Sequence, residues 1–301
     1  AVVAGLFSGV LHAASPLDRR MIGGIVVTLD FSDGPFFTDL AAARKLVIHG
    51  LVQTDVELET ARNSIKQKGL YGRVSCDRFN GRELPYIDNL VNVVLCKRTG
   101  KVPKAELMRV LAPGGLLMVK GDDGWAETVK PWPDGMDEWN QFLHGADNNG
   151  VSLDNVGTPQ RLRWCDGPAF GRSKALSPSV TSMVSANGVV LTVEDRATTE
   201  DINAPVEYVL VARDAFNGIE LWKRTLEKWG SWQTNSIKSI PTQQQRNLAV
   251  IGDSVYCCAE FGGSLTVYET RTGVLVRVFG NTEETTEFAI DGNVLYAIKG
   301  T

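Results

Sequence analysis

A short pattern recurs along the C-terminal half of the chain and limits what that half can fold into. Ile251-Gly252-Asp253-Ser254-Val255-Tyr256 matches Ile290-Asp291-Gly292-Asn293-Val294-Leu295, 39 positions later, and Ala186-Asn187-Gly188-Val189-Val190-Leu191 is a third copy. A second element travels with it: residues 213–222 (RDAFNGIELW) correspond to residues 268–276 (YETRTGVLV). Each copy reads as strand, tight glycine-containing turn, strand, which is a hairpin signature. A unit of about 40 residues with four short strands has the spacing of a β-propeller blade. A β-sandwich would need no internal similarity. The expectation is an all-β, incomplete propeller over residues 157–301 with about two blades, whereas closure takes about four or more. The repeat also stops part-way, so both ends read as cut, and open strand edges would favour aggregation.

Residues 21–123 have another texture, in which apolar runs alternate with helical patterns. Strands are predicted at 25–29 (after Gly23-Gly24), 45–51, 73–76, 90–95 and 116–119. Val56, Leu58, Ala61 and Ile65 fit a helix opening at Asp55 and ending at Gly69. Pro103 opens a second helix over 104–111, and Pro113-Gly114-Gly115 stops it. Alternating strands and helices with right-handed crossovers predict an α/β, Rossmann-like, doubly wound parallel sheet. Residues 124–156 read as an irregular linker, ordered by burial of Trp125, Trp132 and Trp139.

Composition excludes several classes of function. Net charge is −4 with both signs interspersed, so no basic stripe is present to bind nucleic acid. Five cysteines and three histidines lack zinc spacing, so no metal is expected. Residues 1–11 are apolar and His12-Ala13-Ala14-Ser15 follows, as at the end of a signal peptide. Residues 1–20 therefore read as a signal remnant, and the protein as periplasmic or secreted. The run is too short to cross a bilayer, which argues against an integral membrane protein.

Two resemblances follow from these motifs. Residues 109–119 (RVLAPGGLLMV) and 84–91 (LPYIDNLV) resemble the fifth- and fourth-strand regions of class I S-adenosylmethionine-dependent methyltransferases, over residues 21–123. Asp214, Gly218 and Trp222, followed by Asp253-Ser254-Val255-Tyr256, resemble the pyrroloquinoline-quinone-type propeller repeat. The pair of modules is similar to large planctomycete-type proteins in which a stretch like residues 139–144 leads into the propeller.

The first resemblance implies a cofactor site of known parts. A glycine-rich turn should follow the first strand, because a Cβ there would crowd the cofactor. In residues 29–34 only Gly34 remains, and Asp30 and Ser32 occupy the other glycine positions. The family's ribose-binding acid falls on Val52. Asp55 comes three residues late and reads more simply as a helix N-cap. Asp77, after the third strand, would accept from the adenine amino group. The expectation is a degenerate domain with S-adenosylmethionine binding weakened or lost, in a scaffold or binding protein. An active methyltransferase is the alternative.

The second resemblance raises a quinone-dependent dehydrogenase, in which Cys257-Cys258 would form a ring disulfide beside the quinone. The pair lies in a regular strand and reads as two small β-formers, so pyrroloquinoline quinone is not expected. Glu194, Asp195, Arg213 and Asp214 are suitable types for such a site but also ordinary strand-end residues. Trp222 should be core between blades. Trp229 and Trp232, in an insertion over 227–245, suggest a protein or carbohydrate ligand on the propeller. His144 and Asp147 lie in an irregular stretch without fixed geometry for acid–base work.

Overall fold

The computed structural model describes residues 21–300, apart from 32–36, 38, 39, 42–44, 98, 99, 123, 156, 158–160, 172–178, 202, 203, 228, 230–241 and 261. Ser32, Gly34, Trp232 and the apolar N-terminal run fall outside the described residues.

The N-terminal half is one six-stranded sheet. β1 (Gly23–Thr28), β2 (Lys45–Val52), β3 (Val74–Arg78), β4 (Val91–Cys96) and β5 (Leu111–Gly121) run parallel, and β6 (Gly124–Val129) turns back against β5. The spatial order β3-β2-β1-β4-β5-β6 reverses direction at β1, as in a doubly wound sheet. β1, β4 and the carboxyl end of β2 are buried on both faces, which explains their apolar runs, while Lys45 and Val47 at the start of β2 are exposed. α1 (Asp55–Gln67) buries Ala61 and Ile65 on one face, with Ile48, Val74 and Cys76. α2 (Lys104–Val110) buries Leu107 and Val110 on the other, with Val27, Val94 and Leu117.

Two boundaries differ from the sequence reading. Residues 124–129 are strand rather than linker, because β6 pairs with β5 along its length. Pro113-Gly114-Gly115 lies inside β5 instead of ahead of it: the register shifts between Val91 and Val93, and Gly114 takes φ 74°. A bulge thus absorbs the residues that stop a helix.

The C-terminal half is antiparallel throughout. β7 (Val180–Ala186), β8 (Val189–Asp195), β9 (Tyr208–Asp214) and β10 (Glu220–Thr225) form one four-stranded meander. A short helix, α3 (Thr242–Gln245), precedes a second meander of β11 (Leu248–Ile251), β12 (Ser254–Cys258), β13 (Leu265–Glu269) and β14 (Leu275–Val278). β15 (Thr285–Asp291) and β16 (Val294–Lys299) make a hairpin. One core lies between the two meanders and another between the second meander and the hairpin.

The tight turns follow the repeat. Asn187 and Gly188 both take positive φ (48° and 70°), and Gly252 and Gly292 each take 55°, so the loops match strand twist as two-residue hairpin loops require. Trp222 is buried, as expected of a core position. Trp229 is fully buried in the core between the meanders. It is therefore no exposed platform, since an indole of this size buries where the core has room. Among the described residues no helix is long and apolar enough to cross a membrane, and no group of acidic, His and Cys residues is placed to hold a metal.

Candidate functional site

The carboxyl ends of β1 and β2 open into a crevice of about 870 Å³, the position at which doubly wound sheets take ligands. The segment after β1 contributes Asp30 and Phe31, the end of β2 contributes Val52 and Gln53, and α1 contributes Glu57 and Thr60. Asp30 therefore lines the crevice. Phe31 is 5% exposed and turns back over β2, where a Cβ on Gly50 would come within 2.4 Å of its ring. It also stacks on Phe37 at 5.4 Å between centroids. The local sequence thus places a bulky ring beside the crevice.

The amino end of α1 is closed by its own side chains. Thr54, not Asp55, is the N-cap: its hydroxyl accepts from the Glu57 amide at 3.3 Å, and Glu57 Oε2 accepts from the Thr54 amide at 3.0 Å. This reciprocal box occupies the Thr54 and Glu57 amides, two of the donors that an anion at this helix end could use. The Thr54 hydroxyl, which also donates to Glu57 Oε2 at 2.8 Å, and the Thr54 amide hold the Glu57 carboxyl below its usual range. Asp55, displaced from the cap, pairs with Arg78 at 2.7 Å on the surface. The Thr-x-x-Glu spacing was the signal that could have identified the box.

Asp77, at the end of β3, is held on both oxygens. Arg62 Nη2 donates to Oδ1 at 2.7 Å and His49 Nε2 stands 3.2 Å from Oδ2. The His49 Nδ1 atom meets the Tyr86 hydroxyl at 2.7 Å. With Nε2–H given to Asp77, Nδ1 is the acceptor and Tyr86 donates. Burial and the Asp77 charge push the Tyr86 phenol upward, so it keeps its proton. Sequence reading missed His49 and Tyr86, since partners 37 positions apart leave no local pattern.

The two halves are joined by a polar cluster that was likewise unseen. Asn92 Nδ2 donates to Asp214 Oδ2 at 2.7 Å, and Asn217 Nδ2 donates to Asn92 Oδ1 at 2.8 Å. Burial raises the Asp214 carboxyl above its usual range. Deeper in the first meander, Arg213 is bonded through Nη1 to Glu194 Oε1 at 2.6 Å and through Nε to Asp166 Oδ2 at 2.7 Å. Glu194 and Arg213 thus satisfy each other as buried groups, whereas Asp214 is bonded to Asn92 and to the Phe216 and Asn217 amides. His144 pairs with Asp137 at 2.7 Å rather than with Asp147. Cys257 and Cys258 are free and buried, one in each of the two C-terminal cores. Burial pushes the Cys258 thiol up to about 12.

No family profile and no curated protein matches the chain. Solved structures do. The [4+2]-cyclase SpnF is similar at 24% identity over 32% of this chain and 38% of its own, with a TM-score of 0.30. A S-adenosylmethionine-dependent methyltransferase from Aquifex aeolicus is similar at 18% identity over 32% of this chain and 55% of its own, with a TM-score of 0.29. Geranyl diphosphate methyltransferase is similar at 16% identity over 33% and 38%, with a TM-score of 0.30. The chain spans 38% to 55% of the length of these three structures. On its own strand order, the N-terminal half is a Rossmann-like α/β sheet.

Proposed function

We propose that the chain is a binding or scaffold protein, in which a methyltransferase-like α/β domain with an altered cofactor site is fixed to part of a quinoprotein-like β-propeller. The observation that carries this reading is the engagement of Asp77. Arg62 and His49 each engage one of its oxygens, so an adenine amino group would share the carboxylate with a charged partner and gain less from it. Val52, at the ribose position, is an apolar core residue, 7% exposed. The Phe31 ring adds bulk next to the turn where bare backbone is wanted. On this reading the chain binds S-adenosylmethionine weakly or not at all.

Calorimetry with S-adenosylmethionine tests the reading. No heat is expected up to millimolar cofactor. Micromolar binding, lost in Asp77→Ala, would overturn it in favour of an active methyltransferase. That alternative draws on the open crevice beside Asp30.

The propeller reading draws on two meanders of the same strand order and on a repeated tryptophan–glycine contact. A quinone dehydrogenase is disfavoured, since Cys257 and Cys258 serve opposite cores. The periplasmic or secreted location rests on the apolar N-terminal run alone, and cell fractionation of the native protein checks it.

A further inference from the structure

We propose that the cleft between the two modules binds a neutral saccharide. The cleft measures about 630 Å³ and lies at the junction of two folded units, where ligand pockets concentrate. Trp132 forms its apolar wall. The indole rests on Gly114 of β5 and Gly188 of the β7–β8 turn, where an added Cβ would come within 3.3 and 3.2 Å of it. Phe216 supports it at 5.9 Å between centroids. Trp132 nevertheless stays 43% exposed, so a flat, rigidly backed ring borders the cleft.

The polar groups beside it have hydrogen-bonding capacity left over. Among the described residues the Arg271 side chain meets only Asp214 Oδ2, at 3.8 Å, beyond hydrogen-bond distance. Asp253 gives one oxygen to Asn187 Nδ2 at 3.0 Å and retains the other. Glu127 also lines the cleft. Unused donors and unused acceptors therefore stand together next to an aromatic face. A sugar ring matches this set, because each hydroxyl both donates and accepts and its C–H face can lie on an indole.

Charge argues against an anionic ligand. An anion would face Asp214, Asp253 and Glu127 against one guanidinium. Backing by Gly114, Gly188 and Phe216 fixes the indole in advance, which lowers the cost of ordering on binding. The proposal does not depend on the cofactor reading: bound S-adenosylmethionine would overturn that reading and leave this one standing.

The test is titration of the whole chain with maltotriose, cellotriose and N,N′,N″-triacetylchitotriose, followed by tryptophan fluorescence and calorimetry. At least one trisaccharide is expected to saturate with a Kd between about 10 μM and 1 mM. Arg271→Gln and Asp253→Asn should each weaken it about tenfold while the far-UV spectrum stays unchanged. Trp132→Phe should weaken it as well; since Trp132 also packs at the junction, the two polar variants decide the matter if that variant misfolds. Absence of binding by all three sugars up to about 20 mM would overturn the proposal. So would binding unaffected by both polar variants, or binding of glucuronate or lysine amide in place of the neutral sugars.

Discussion

The indole of Trp222 lies against Gly273, one repeat further along the chain, and donates to the Thr270 carbonyl at 2.8 Å. A Cβ on Gly273 would sit 2.6 Å from the ring, and its φ of 67° already favours glycine. The same relationship holds one unit earlier: Trp164 covers Gly218 and donates to the Ala215 carbonyl at 2.9 Å. Each tryptophan therefore ties one unit to the turn of the next.

Trp222→Ala should cost about 3–5 kcal/mol, the usual range for emptying a buried aromatic site. Gly273→Ala should destabilise the same region by a clash and an unfavourable φ together. Urea denaturation followed by tryptophan fluorescence measures both. Trp222→Phe should recover part of the packing but not the hydrogen bond. A Gly273→Ala variant as stable as the parent would contradict the contact.

The repeat was legible because it is local: Gly218 of the first meander recurs as Gly273 of the second, with an acidic residue (Asp214, Glu269) four positions before each, and such turns need glycine wherever they occur. The α/β strands were legible for a similar reason, since burial on both faces demands unbroken apolar runs. What joins the halves was not. Asn92 sits in an apolar strand and gives no hint that its partners are 122 and 125 positions away. Trp229 was misread because an insertion looks exposed in sequence, while its side chain reaches a core built from both meanders. Asp55 was preferred as cap because aspartate is a strong capping residue. The reciprocal Thr54–Glu57 pair outcompetes it by satisfying both residues' amides.

The capping box makes a separable prediction. Thr54→Ala should lower the stability of the α/β half by about 1 kcal/mol. Asp55→Ala should change it by less than about 1 kcal/mol, because its pair with Arg78 is a surface ion pair. Thermal melts monitored by circular dichroism distinguish the two. The reverse ranking would restore Asp55 as the functional cap.

The Arg213–Glu194 pair should make the first meander sensitive to acid. Burial alone would raise the Glu194 carboxyl, but hydrogen bonds from Arg213 and Thr192 outweigh it and hold the group below 4.5. A depressed carboxylate contributes stability that is complete above its unfolded value and is lost as pH falls through the folded one. Asp214 runs the other way: burial raises it above 3.8, so its contribution is present in acid and lost as pH rises through the folded value. Glu194→Gln should therefore flatten the loss of stability below about pH 4.5, and Asp214→Asn should not. Arg213→Met, which strands a buried charge, should cost about 3–5 kcal/mol at neutral pH. Urea midpoints across pH 3.5–7.5 supply the comparison.

Gly24 should govern how firmly the halves hold together. Its φ is 130°, and a Cβ there would fall 2.4 Å from Asn92 Oδ1. That oxygen accepts from the Ile25 amide and from Asn217 Nδ2, each at 2.8 Å, while Asn92 Nδ2 reaches Asp214. One side chain thus serves the first strand and the opposite module at once, and only a residue without a Cβ leaves room for it. Gly24→Ala must push Asn92 aside and strip hydrogen bonds from buried partners, each worth about 1–3 kcal/mol when left unsatisfied. The parent chain should unfold its two halves together in urea. In Gly24→Ala the transition should split, with near-ultraviolet and far-ultraviolet circular dichroism no longer coinciding. Gly69→Ala is the matched control, since Gly69 also has positive φ (67°) but nothing within 4 Å of its Cβ position. It should pay only the backbone penalty and keep a single transition. If Gly24→Ala also keeps a single transition, Asn92 is not what couples the modules, and the contact of Lys45 with Glu220 at 3.3 Å becomes the next to remove.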